Sequence, residues 1–298
     1  MFRSIITLAV LLIISRTAFS SSVIPEIRYQ IKKSDLCIQV MSTFNGHHEG
    51  ITHIMTPWAS FSQLKDGKIN YNAEGGIQVL EFNGSKTKVS HAPNAKIEAS
   101  YELCYDEFSN ETHLHLIQSQ YFHLYSLNLL VYPELSPTQM VHVSFDFSAL
   151  PDNFALFSDF GKNKTFTLTT SFEKVLSSQF IGKYNNFSIE TQPVTIIENA
   201  RWSLFDNLSL KPFINDLINF QRKKMQDEDF PPYVISLAQQ SKKVTHPSVY
   251  GTHSKNCLTF VFPDGPKENR FKVIYLLSHE LFHSWLGSKL ELPLILRH

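Results

Sequence analysis

The sequence predicts an α+β protein: an N-terminal antiparallel β-sandwich-like region, then the first part of an α+β lobe. Two observations carry this. Segments of alternating polarity, punctuated by Gly, Asn and Asp, recur from Glu26 to about Thr170, the pattern of an antiparallel sandwich. From Leu210 onward the periodicity changes to helix, strand, strand, helix, as expected of a lobe that mixes both element types.

The first twenty residues read as a secretory leader over 1–20. Arg3 gives the positive start, Ile5 to Ser15 a short apolar core, and Ala18-Phe19-Ser20 a small-x-small cleavage site before Ser21. The apolar run is too short to span a bilayer and Arg16 interrupts it. The expectation is a secreted or periplasmic protein with no stable membrane insertion after cleavage. Five N-x-S/T sequons begin at Asn83, Asn110, Asn163, Asn186 and Asn207, and they count only in a host that glycosylates exported chains.

Alternation then marks the strands. Ile27-Arg28-Tyr29-Gln30-Ile31, Cys37-Ile38-Gln39-Val40, Lys68-Ile69-Asn70-Tyr71 and Lys96 to Tyr105 each place apolar side chains on every second position. Gly75 to Phe82 reads as a strand opening from a turn, and Met140 to Phe147 and Thr165 to Thr170 complete the set. Ser171 to Phe180 is a short helix or a turn. Leu210 to Met225 is a helix, with Pro212 in its first turn and Arg222, Lys223 and Lys224 near its end. Val234 to Leu237 and Leu258 to Phe262 are strand-like. A last helix is expected from Pro266 and Glu268, capped by Asp264 or Gly265, with Gly287 as its stop.

Composition removes some functions. Lys plus Arg number 27 and Asp plus Glu 27, so the balanced charge argues against nucleic acid as partner. There are three cysteines. Cys37 with Cys104 is the expected disulfide, because both lie in strand-like segments of one region; three free thiols are the alternative.

His279-Glu280-Leu281-Phe282-His283 carries the chemistry. On a helix the two histidines stand one turn apart on one face, so both imidazoles can reach a single zinc ion. Glu280 sits one step around and can act as general base. Other histidines read differently. His47, His48 and His53, with Glu49 between them, suggest an exposed hairpin loop, and His113 and His115 suggest surface positions on a strand.

The motif with its flanks, His279-Glu280-Leu281-Phe282-His283-Ser284-Trp285 and then Lys289, resembles the signature helix of the glycyl aminopeptidase family of thermolysin-like zinc metallopeptidases. Tyr250-Gly251-Thr252-His253 is similar to that family's Gly-x-Glu-His stretch. The resemblance implies a β-rich region over 21–180 and a thermolysin-like catalytic lobe beginning within 181–298. It further implies Zn2+ held by His279 and His283, Glu280 as general base, and Thr252 and His253 beside a peptide or protein substrate. Thr252 stands where the family has the Glu that binds the substrate's free α-amine, and a neutral residue cannot pair with an ammonium. Phe282 and Trp285 are expected in the core, and His253 is expected to be a hydrogen-bonded loop residue or to line the cleft.

The third ligand is the open position. Leu286 and Lys289 exclude the metzincin spacing, and the thermolysin-type glutamate would fall past His298. Glu291 and His298 are the nearby candidates, ahead of His253 and Glu268, yet on a continuous helix Glu291 stands about 12 Å from His283. The expectation is therefore a peptidase impaired by truncation after the active-site helix. The alternative is an inactive, peptidase-like secreted binding protein.

Overall fold

Glu26–Ser34 forms β1 because its alternate residues Ile27, Tyr29 and Ile31 are buried while Glu26, Arg28 and Gln30 face outward, the period-2 requirement of a half-buried strand. In this computed structural model the same logic builds a seven-stranded sheet. Its other strands are β2 (Cys37–Asn45), β4 (Leu64–Ala73), β5 (Gly76–Glu81), β7 (Lys96–Cys104), β11 (Met140–Asp146) and β13 (Thr165–Ser171). The order is β13-β11-β1-β2-β7-β4-β5. The structure describes residues 24–56, 64–82, 84–104, 115–184, 188–191, 194–198, 207–226, 233–239, 250–254, 256–262 and 270–288. The leader, Glu268, Glu291, His298 and the expected start of the last helix lie outside them. Among the described residues no helix is long and apolar enough to cross a membrane.

One pairing departs from the antiparallel expectation. β1 runs parallel to β11, with Tyr29 opposite Phe145, so the sheet is mixed. The Cys37–Cys104 disulfide is present across neighbouring β2 and β7, where the two cysteines are register partners, and Cys257 is a free buried thiol.

A three-stranded sheet of β3 (Ile51–Met55), β6 (Lys86–Ser90) and β10 (Tyr132–Pro133) lies at one side. A four-stranded sheet is made from β8 (His115–Gln118), β9 (Tyr121–Tyr125), β12 (Phe154–Ser158) and β14 (Gln179–Tyr184). Short helices α1 (Ser126–Leu129) and α2 (Phe172–Leu176) connect these layers. The expected boundary at 180/181 falls within β14, which pairs with both β9 and β12.

This four-stranded sheet is a middle layer. Phe180 of β14 meets Phe145 and Phe147 of the large sheet at 4.9 and 5.0 Å between ring centroids. Ile181, on the other face, joins Leu116, Tyr121 and Phe157 in a core shared with Ile197, Val234, Cys257 and Val261. Those last four belong to a mixed five-stranded sheet of β15 (Ser188–Thr191), β16 (Val194–Glu198), β17 (Tyr233–Gln239), β18 (Tyr250–His253) and β19 (Cys257–Phe262). Helices α3 (Asn207–Met225) and α4 (Arg270–Ser288) close its far side through Ile214, Ile218, Leu277 and Leu281. Helix α4 is described through Ser288, one residue past the expected Gly287 stop.

Candidate functional site

Helix α4 positions the motif through its neighbours. Leu277 and Leu281, one turn apart, are 1% and 0% exposed in the core with Ile214, Ile235 and Phe260. That anchoring fixes the rotation of the helix. His279 is left exposed, His283 half-buried, and Glu280 buried at 8% exposure. Phe282 does not enter the core: it is 41% exposed, on the outer side of the helix with Tyr275.

The two histidines converge. Their Nε2 atoms stand 3.0 Å apart. Two nitrogens bound to a tetrahedral zinc at 2.0–2.1 Å would lie about 3.3 Å apart, so the pair fits zinc with a shift of a few tenths of an ångström. Burial, followed by the neighbouring His253 imidazole, lowers the His283 pKa; Glu280 opposes this and His279 adds to it. The shift favours neutral imidazole, the form that ligates metal.

Strand β18 supplies the floor. Gly251 lies so close to the helix that an added Cβ would stand 2.9 Å from Glu280 Cγ and 3.2 Å from the Phe260 ring. Two residues on, and so on the same face of the strand, His253 Nδ1 lies 3.2 Å from Glu280 Oε2. The His253 ring also stacks on that of His283, with centroids 4.6 Å apart and planes 6° from parallel. His253 is thus a strand residue of the site, held between the general-base candidate and a ligand candidate.

Thr252 faces the other way. Its hydroxyl donates to Gln179 Oε1 at 3.4 Å, on the side of β14, and it stands apart from the histidines and Glu280. The same amide oxygen accepts from Thr259 at 3.1 Å and bonds His123 Nε2 at 2.9 Å. Asp159 fixes the other end of the hairpin. Its Oδ1 accepts from the Asn256 backbone N–H at 2.7 Å and its Oδ2 from that of Gln179 at 2.8 Å. Gln179 and Asp159 come from the β region, so the wall bearing His253 is set by a layer distant in sequence. Nothing local in the chain announces them.

The remaining histidines separate clearly. His47 and His48 are exposed with Glu49, as expected of a turn, and His53 pairs with Glu134 at 3.2 Å on β3. His115 is a correction: it is buried at 5% exposure rather than on the surface. Its Nε2 bonds the Asn128 carbonyl at 2.9 Å.

No protein-family model matches the sequence, and no curated protein matches it either. Solved structures do match in fold. The crystal structure of an aminopeptidase N family protein from Idiomarina loihiensis superposes with TM-score 0.65 and 10% identity, over 87% of this chain and 47% of that one. Legionella pneumophila aminopeptidase A, solved in complex with aspartic acid, gives TM-score 0.53 and 10% identity, over 88% and 34%. The chain thus spans less than half the length of either structure, and at such identity the likeness shows the fold alone.

Proposed function

We propose that this chain carries the β region and the active-site helix of an exported, zinc-dependent metallopeptidase of aminopeptidase type. The observation that supports this most is the convergence of His279 and His283 Nε2 atoms at 3.0 Å beside a buried Glu280. A fold shared with two aminopeptidases adds to it.

His279 and His283 would hold the zinc, which supplies Lewis acidity toward a peptide carbonyl when bound. Glu280 takes the proton from the attacking water and passes it to the leaving amine, the work of a general base turned general acid. His253 and the close backbone of Gly251 keep the Glu280 carboxylate in one place. Thr252, a neutral residue turned toward Gln179, has no part in recognising a substrate ammonium, so the glycyl aminopeptidase subtype rests on the motif helix alone. Two histidines leave two coordination positions to other groups.

The test is metal analysis of the purified 298-residue chain together with aminopeptidase and endopeptidase assays. His279→Ala should remove the zinc equivalent that the histidine pair holds, since one imidazole of that pair is gone. Glu280→Gln should keep the zinc bound by the histidine pair and reduce any turnover by about 100- to 10,000-fold. A wild-type chain that binds no zinc, or hydrolysis indifferent to both substitutions, would refute the reading.

A further inference from the structure

We propose a second divalent-cation station in this site, formed by His253 Nδ1 and Glu280 Oε2 beside His283, that competes for the general base. The inference rests on the zinc-peptidase reading for the role of Glu280, but its geometry is independent of it. Among the described residues the site brings together four potential ligand side chains in two pairs. His279 and His283 are spaced at 3.0 Å, and His253 and Glu280 at 3.2 Å. A nitrogen and an oxygen each 2.0–2.2 Å from a tetrahedral ion stand about 3.4 Å apart, so the second pair is also set for one ion.

His253, Glu280 and His283 each bring a ligand atom within 4.8 Å of the other two. A cation seated on His253 and Glu280 therefore has a third imidazole within reach of a small side-chain rotation. The carboxylate is suited to the task. Glu280 is buried, with the His253 imidazole 3.2 Å from its Oε2. A divalent ion bridging the two would replace the His253–Glu280 hydrogen bond at the same spacing. The scaffold is fixed as well: Gly251 abuts Glu280, and Asp159 holds the hairpin end through Asn256.

The two stations differ in consequence. Metal on His279 and His283 leaves Glu280 free to move a proton. Metal on His253 and Glu280 makes that carboxylate a ligand and removes it from proton transfer. One carboxylate cannot neutralise two dications a few ångströms apart, so the second ion binds about 100-fold or more weakly once the first is in place.

The experiment titrates the metal-stripped full chain with Zn2+ and with Co2+, following heat and the cobalt absorption bands. Wild type, His279→Ala, Glu280→Gln and His253→Phe are compared, the last keeping an aromatic ring on His283. Melting curves confirm folding, and His253→Leu replaces any His253→Phe sample that fails. The expected result is a metal equivalent that survives His279→Ala and weakens at least tenfold in both Glu280→Gln and His253→Phe. Metal binding that is unchanged in those two variants overturns the second station. Failure of the catalytic reading looks different: no equivalent then depends on His279, whatever His253 and Glu280 do.

Discussion

Mild acid should destabilise this protein through two histidines far from the motif. His115 and His123 are 5% and 1% exposed. The His115 ring is satisfied in one neutral tautomer: Nε2–H donates to the Asn128 carbonyl at 2.9 Å, and Nδ1 accepts the Tyr125 N–H at 3.4 Å. A second proton on Nδ1 would set one N–H against another. Burial lowers the His115 pKa from 6.5 to about 4, against the opposing pull of the Asn128 bond. Burial likewise takes His123 to about 3; the Gln179 bond opposes this and His115 adds to it. The unfolded chain therefore takes up both protons first. Stability from these groups is complete above pH 6.5 and falls as the pH drops toward 4 and 3. Well below pH 6.5 each group contributes a loss of about 1.4 kcal/mol per pH unit; the unfolded imidazoles are half protonated at pH 6.5, so the pair loses about 3 kcal/mol between pH 6.5 and 5. Urea unfolding at pH 7.5, 6.5, 5.5 and 5.0 reads this slope directly. His123→Leu should lower stability at every pH while roughly halving the slope. A slope unchanged by that substitution, or no loss down to pH 5, would refute the assignment to these rings.

Two further outcomes follow from the wall beneath the site. Gln179→Leu deprives the buried Thr259 hydroxyl and His123 N–H of their shared acceptor, at about 1–3 kcal/mol for each unsatisfied group; a loss in urea below about 1 kcal/mol would contradict the network. Gly251→Ala places a methyl 2.9 Å from Glu280 Cγ and 3.2 Å from Phe260, so it should cost about 1–3 kcal/mol of overpacking while the His279-dependent zinc stays bound. An unchanged melting temperature in that variant would show that β18 yields more easily than its packing implies.

The strands that sequence pattern finds are those with one wet face. β1, β2 and β7 alternate buried and exposed residues along their lengths, and alternation is the signal that period-2 reading detects. β9 and β14 carry no such signal. Tyr121 to Leu124 and Gln179 to Lys183 are buried throughout, because their sheet is covered by the large sheet on one side and the lobe on the other. They also bury His123 and Gln179, polar residues that pattern assigns to a surface. His115 was misplaced for the same reason. The parallel pairing of β1 with β11 is a long-range choice that no local window contains.

The site divides along the same line. Its helix is legible because a single spacing both presents two imidazoles and packs Leu277 and Leu281 beneath them. Gly287, the expected stop, stands one residue before the last described residue of α4, Ser288. The strand opposite is partly legible. Once Gly251 and His253 are placed toward the helix, alternation alone turns Thr252 to the other face, where Gln179 receives it. What the chain does not announce is that β18 stands on β14 and on Asp159, residues from a region that reads as a separate unit. The position of His253 against Glu280 is therefore a property of two layers together, and chemistry at the motif should respond to substitutions in the β region that never touch it.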